Sequence, residues 1–260
     1  MAARHPVPKP LRGWLLPLAV LALWWWARAS GWSDSKLLVS PAEVAERGAE
    51  LIASGQLWTA LSASLGRNLI GFAIGAAAGL AVGALLGLSR RAERLIGPSL
   101  HTLKQISLFA WIPLLSVWFG LGETAKIAFL AIAAFFPVLL NSFEGIRSVP
   151  GELVELARVL RYSRWQLLRR VVLPASAPSI FAGIHLGLIY AWLATLGAEY
   201  LLASGPGMGG LLVAGREHFE MDLVLVGVGV VGLVGYGLNS GAGWLEARAL
   251  AWRGRSVANY

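Results

Sequence analysis

The sequence contains no cysteine, four histidines and few charged residues, 14% in all. Without cysteine the chain has no disulfide framework, thiolate nucleophile, zinc-thiolate site or iron–sulfur cluster of its own. A phosphate cradle is also missing. No G-x-x-x-x-G-K-[ST] run occurs, and none of Lys9, Lys36, Lys104 and Lys126 is followed by serine or threonine. The glycines Gly205, Gly207, Gly209 and Gly210 do not make a dinucleotide fingerprint and mark a turn instead. Paired carboxylates, histidine-rich metal spacing and an activated nucleophile are all absent from any shared stretch, which argues against a membrane enzyme.

What is present is apolar. Apolar residues make up 57% of the 260, too many for a soluble domain of this length. The net charge of +8 comes from short basic clusters set between apolar stretches, a pattern that fits membrane topology better than nucleic acid.

Six stretches approach the roughly 20 residues that a spanning helix needs. They run from Trp14 to Ala29, Leu65 to Leu88, Leu100 to Leu121, Thr124 to Phe143, Ala182 to Leu202 and Leu223 to Leu245. The first follows Arg4, Lys9 and Arg12 like a signal peptide, but it lacks a convincing cleavage site. Its Trp24-Trp25-Trp26 run suits the membrane interface, so it reads as a retained helix. The third contains Pro113, which would free a backbone carbonyl inside the span.

Alternating the spans from a cytoplasmic N-terminus places Arg4, Lys9, Arg12, Arg90, Arg91, Arg94, Lys104, Arg147, Arg158, Arg161, Arg164, Arg169, Arg170, Arg248, Arg253 and Arg255 inside. Only Lys36, Arg47, Lys126 and Arg216 fall in outer loops, with Arg28 and Arg67 near span ends. The positive-inside bias therefore holds in every loop and puts both termini in the cytoplasm. The expected organisation is a tail over 1–13, a six-helix membrane domain over 14–246 and a second tail over 247–260.

Gly71, Gly75, Gly79, Gly83 and Gly87 recur every fourth residue and form one ridge of the second span, where a neighbouring helix can approach to backbone contact. Before it, Ser40-Pro41-Ala42-Glu43 is a capping box with proline at the first helical position. It predicts an amphipathic helix with Val44, Leu51 and Ile52 on its apolar face, lying on the outer surface of the membrane or serving as a plain connector.

The most informative stretch is the loop from Pro150 to Pro174. Leu153, Leu156, Ala157 and Leu160 fall on one face of a short helix that starts at Pro150. Ser163-Arg164-Trp165-Gln166 is a second capping box, which starts another helix that Pro174 should stop. Two short helices joined near Arg161 and Tyr162 make a bent, rigid element. Such an element can transmit force from a soluble partner, or rest on anionic lipid headgroups.

The residues of this loop resemble the EAA loop of ABC importer permeases. Glu155-Leu156-Ala157 stands at its Glu-Ala-Ala start, Arg161 at the glycine four residues on, and Val171-Val172-Leu173-Pro174 at its aliphatic-x-Leu-Pro end. Ser40-Pro41-Ala42-Glu43-Val44, Pro113-Leu114, Trp118-Phe119-Gly120-Leu121-Gly122-Glu123, Phe135-Phe136-Pro137 and Ser163-Arg164-Trp165-Gln166-Leu167 extend the resemblance to the aliphatic sulfonate, taurine and nitrate permease group. The resemblance implies an all-α fold of the type I importer permeases, in the cytoplasmic membrane of a bacterium.

It also implies a homodimer with two ATP-binding subunits, which carry ATP and Mg, and a periplasmic or lipid-anchored solute-binding protein. No cofactor is implied in this chain. Within the loop it points to Glu155, Ala157, Leu160, Arg161, Ser163, Leu173 and Pro174 as the residues that couple to the ATPase. Two positions depart from the pattern. Leu156 replaces the middle alanine, and Arg161 replaces glycine, at a cost of about 1–2 kcal/mol if the backbone there is left-handed.

Candidate solute contacts are fewer. Glu199 is a carboxylate within an apolar span, either lining the path or bonding between helices. Gln105, Ser107 and Trp111 cluster near the proline-bearing third span, where they line a cavity or simply bond and pack within their own helix. The competing classes are a secondary transporter, for which midplane ionisable groups are scarce, and a non-catalytic assembly subunit, which has no use for the loop at Glu155.

Overall fold

The computed structural model describes residues 19–20, 22–27, 30, 39–202 and 205–254, with the side chains of 253 and 254 excepted. The described residues form helices and no strand: α1 Pro41–Ala53, α2 Gln56–Leu88, α3 Arg90–Leu103, α4 Ile112–Phe119, α5 Glu123–Arg147, α6 Gly151–Val159, α7 Arg164–Leu167, α8 Leu173–Leu201, α9 Met208–Glu217, α10 Met221–Ala249 and α11 Ala251–Gly254. A 3-10 helix, Leu108–Trp111, precedes α4, and a π-helical turn, Leu168–Val172, joins α7 to α8.

Among the described residues, four helical stretches are long and apolar enough to cross a membrane: α2, α5, the run Arg164–Leu201, and α10. The pair formed by Arg90–Leu103 and Leu108–Phe119, bent by 95°, makes a fifth if it is counted as one broken span. The expected first span, Trp14 to Ala29, and the tail over 1–13 lie largely outside the described residues; residues 22–27 are helical.

The chain divides into two compact units, one of residues 1–58 and 211–229, the other of 59–210 and 230–260. In the first, α1 starts as its capping box dictates. The Ser40 amide donates to Glu43 Oε2 at 2.6 Å, and the Glu43 amide donates to Ser40 Oγ at 3.2 Å. Leu51 is buried and Gly48 faces Val226, but Ile52 is 50% exposed and does not share the apolar face expected for it. The reason is angular, since successive helical residues point about 100° apart. On the polar side Arg47 donates to Glu220 at 2.7 Å and lies 3.7 Å from Asp222, which fixes α1 to the start of α10. Hydrogen bonding to Glu50, ahead of the pairing with Glu220 and Asp222, raises the Arg47 guanidinium above its ordinary pKa.

The second unit is built on α2, α5 and α8. The glycine ridge of α2 lies against α5: a Cβ on Gly71 would meet Leu130 Cβ at 2.5 Å, on Gly79 the Phe135 carbonyl at 2.6 Å, and on Gly83 the Leu139 carbonyl at 2.6 Å. Gly183 and Gly187 do the same for α8, against Asn141 Cβ at 2.6 Å and Val138 Cγ2 at 2.8 Å. Lipid tails offer no hydrophobic drive between helices, so close backbone approach supplies the association through dispersion contacts. Around this seam Leu115, Ala125, Phe129, Leu130, Ala194 and Ala198 form the core. On the outward faces Ile70, Ile74, Leu233 and Tyr236 stay exposed, as lipid-facing residues must.

Three expectations are corrected. The third span is not one helix over Leu100 to Leu121, because it breaks between Leu103 and Leu108. Pro113 frees no carbonyl: it stands in the first turn of α4, where its missing N–H has no intrahelical acceptor to lose. Pro174 does not end the loop's second helix, which continues through it into α8. The Leu173 amide reaches back to the Leu168 carbonyl in the wider i→i+5 turn, and this loosening just ahead of Pro174 accommodates a ring that would crowd the regular α-helical carbonyl.

Candidate functional site

The loop between α5 and α8 is braced at its bends by hydrogen bonds and a cation–π contact. At the end of α6 the Arg161 amide donates to the Arg158 carbonyl and the Tyr162 amide to the Ala157 carbonyl, each at 2.9 Å. This is a Schellman closure, and Arg161 holds the left-handed position with φ of +55°. Ser163 then caps α7: the Gln166 amide donates to Ser163 Oγ at 3.3 Å, and the Ser163 amide donates to Gln166 Oε1 at 2.8 Å. The Arg170 guanidinium sits 5.8 Å from the Tyr162 ring centroid and ties the π turn back to the bend.

Both ends of this loop continue into α5 and α8, whose seam includes Gly145 against Ser179 and a bond from Ser179 Oγ to the Asn141 carbonyl at 3.0 Å. The loop and the packed pair are therefore continuous. The Arg147 guanidinium also pairs with Glu93, joining the end of α5 to α3.

Ala157 is buried, whereas Glu155, Leu160, Arg161, Ser163 and Leu173 are exposed and Pro174 is half-buried. Leu153, Leu156, Ala157 and Leu160 line a recess of about 670 Å³, which Pro174 and Trp252 also border. Val159 is 78% exposed and Trp165 65%, so α6 and α7 present an apolar surface that the described residues leave uncovered.

At the opposite end of the α2–α5–α8 seam lies a buried polar clamp. Glu199 is 4% exposed and its carboxylate is filled: Ser64 Oγ donates to it at 2.6 Å, the Gly209 amide at 2.7 Å, and Arg67 Nη1 pairs with it as well. Arg67, itself 5% exposed, also donates through Nε to Glu123 at 2.5 Å and through Nη2 to the Pro206 carbonyl. Lys126 is 1% exposed and lies 3.3 Å from Glu123 Oε1. A side chain on Gly207 or Gly209 would collide with Glu199. The carboxylate thus holds the turn at 205–209 onto α2, the arrangement of an interhelical bond.

Lys126 was expected in an outer loop, and the structure instead buries it in the first turn of α5. Arg67 was expected only as a charge near a span end. Neither partnership is visible locally in sequence, although four ionisable residues near span ends give a signal that they pair.

The remaining candidates surround the break in the third span. Trp111 borders a cavity of about 370 Å³ between this broken segment, α5 and α8; Gln105 and Ser107 are exposed and do not border it. Lys104, Asn141 and Tyr190 do, and none of the three had been singled out as a solute contact.

A seam of small residues, a bent helix pair and a braced loop between two long apolar helices mark a multi-pass helical membrane protein. The family described as binding-protein-dependent transport system inner membrane component matches residues 59–250, and the chain belongs to it. It is 38% identical to the aliphatic sulfonates transport permease protein SsuC of Bacillus subtilis (strain 168), over 94% of this chain and 88% of that one. To the taurine transport system permease protein TauC of Escherichia coli (strain K12) it is 32% identical, over 96% of this chain and 93% of the other.

Among solved structures, an amino acid ABC transporter with histidines matches with a TM-score of 0.63 at 16% identity, covering 77% of this chain and 97% of that chain. An inward-facing MetNI methionine ABC transporter matches at 0.60 and 19%, covering 75% and 96%. The fold is that of the type I ABC importer permeases, and the protein is a multi-pass inner-membrane permease subunit of an ABC importer. Such a subunit works beside ATPase subunits and a solute-binding protein.

Proposed function

We propose that this permease carries a small organic anion, an organic sulfonate or a similar solute, inward as one of two identical chains. Its loop and both termini then face the cytoplasm. Two separate ATP-binding subunits bind ATP and Mg and hydrolyse the nucleotide, because this chain has no phosphate cradle. The names of the relatives, aliphatic sulfonates and taurine, support the solute class.

One observation carries the coupling role: α6 and α7 are braced at every joint yet leave Leu156, Val159, Leu160 and Trp165 exposed around a recess. A loop resting on lipid needs a convex apolar face. A concave apolar recess with Glu155 and Arg161 exposed nearby suits a protein partner instead. In this reading Glu199 anchors the outer turn and does not touch the solute.

The test is reconstitution of the chain in proteoliposomes with its ATPase and binding protein, followed by ATP-driven uptake of taurine and butanesulfonate. Glu155→Lys is expected to abolish uptake while membrane insertion stays normal. Uptake at the wild-type rate in that variant would overturn the coupling role, and failure of the wild type to import any organic anion would overturn the solute class.

A further inference from the structure

The cavity at the broken third span has a definite chemical polarity. It lies where α3 ends and the 3-10 helix begins, so four residues of irregular backbone, 104–107, interrupt an apolar helix pair. Within a membrane, irregular backbone is tolerated only against protein or a polar cavity, and interrupted helices are where transport sites are built. Lys104, Trp111, Asn141 and Tyr190 supply its polar groups, and Ile132, Phe136, Leu140 and Leu186 are among its apolar walls. No carboxylate is among the described residues that border it.

The polar groups lean toward donors. Lysine ammonium and tryptophan N–H donate and cannot accept, while tyrosine hydroxyl and asparagine amide can donate. Asn141 gives one amide N–H to the Pro137 carbonyl at 2.9 Å, which fixes the side chain and leaves its second N–H free of that bond. A cation beside several donors in a largely apolar pocket favours an anionic head, because an ammonium pairs with a compact anion by charge-assisted bonds. The aliphatic and aromatic walls then add affinity for each methylene of a tail that they cover. A bare inorganic anion uses the first feature and wastes the second.

We infer that this cavity is a solute subsite of the permease, with Lys104, Trp111 and Tyr190 receiving the anionic head of a short-chain alkanesulfonate-like solute and Leu140 and Leu186 flanking its tail. The inference rests on the reading that the chain imports an organic anion and assigns that solute its residues. Asn141 is a positioning residue, held by Pro137 in the α5–α8 seam.

The experiment compares uptake of methanesulfonate and butanesulfonate by complexes that carry wild-type or variant permease, with the same binding protein throughout so that changes between variants come from the permease. Lys104→Met is expected to lower sulfonate uptake about tenfold or more, and Lys104→Arg to restore most of it. Leu186→Trp, which shortens the tail wall, is expected to lower the ratio of butanesulfonate to methanesulfonate uptake at least about threefold relative to wild type. That shift in ratio is one that a merely misfolded permease cannot produce.

If the wild type imports sulfonates while Lys104→Met matches it and the Leu186→Trp ratio is unmoved, the subsite is wrong and the anion reading survives. If the wild type imports no sulfonate, both fail together.

Discussion

Arg67 on α2 and Glu199 on α8, 132 residues apart in the chain, form an ion pair in which both side chains are almost wholly buried. Neither charge is left to lipid or to an open path. Arg67 reaches Glu123 and the Pro206 carbonyl, and Glu199 accepts from Ser64 and Gly209, so every lobe of the pair is spoken for by a neighbouring element. The pair therefore closes one end of the α2–α5–α8 seam, while the braced loop closes the other. A helical unit pinned at both ends moves as a body, which is what a permease needs if a push at the loop is to reach the far side.

Removing one member of this pair should be far worse than removing both. Glu199→Leu leaves the buried Arg67 guanidinium with only Glu123 and the Pro206 carbonyl and is expected to cost about 3 kcal/mol, whereas Arg67→Met combined with Glu199→Leu replaces charge by apolar volume and recovers part of that loss. Thermal unfolding of the detergent-purified chain checks it. A single variant no less stable than the double one would mean that the pair is not desolvated.

The loop was legible in sequence because its determinants are local. Ser163 and Gln166 lie three residues apart and so do Ser40 and Glu43, so capping chemistry is written within one helical turn. The glycine ridge was equally readable, since its four-residue period survives any choice of partner; which helix it met was not. The clamp was opaque because Arg67 and Glu199 have no local signal linking them. The break at 104–107 was missed for another reason: it contains neither glycine nor proline, while Pro113 drew attention to a place where the helix starts cleanly. The bend is set by the 3-10 helix packing on α5, with Phe109 and Phe129 centroids 5.9 Å apart and Leu108 against the core, and no short-range rule encodes that.

The glycine ridge makes a position-specific prediction. Gly79→Leu drives a branched side chain into the Phe135 carbonyl and Val138 Cβ, so α2 and α5 must separate, and a loss of at least about 1–3 kcal/mol is expected. Gly66→Ala, one helical turn ahead of the ridge with open space around it, should change stability by no more than about 0.5 kcal/mol. Parallel melting curves in one detergent decide the matter. Equal losses at the two positions would show that α2 is held by something other than the ridge.

The Ser163 cap should matter to the loop more than to the fold. Ser163→Ala removes the acceptor for the Gln166 amide and is expected to weaken α7 by about 1 kcal/mol. Faster amide hydrogen exchange confined to residues 163–167, with the melting temperature of the membrane core nearly unchanged, is the outcome that fits. Exchange accelerated equally along α8 would show that the loop and the span unfold as one unit.

Arg161 supplies the last test, because its φ of +55° places a β-carbon where glycine is favoured. Relief of left-handed strain favours Arg161→Gly by about 1–2 kcal/mol, and the greater freedom of glycine in the unfolded chain returns part of it, so a net gain of about 0.5–1 kcal/mol is expected. Arg161→Val keeps the β-carbon and adds a branch, so it should lose stability instead. The two variants separate backbone from side chain in function as well. If the arginine serves only as a C-terminal cap, glycine keeps ATP-driven uptake in proteoliposomes and valine lowers it. If both variants lose uptake while the glycine form is the more stable, the guanidinium itself meets the partner, and its charge has replaced the usual small residue for a reason of docking and not of folding.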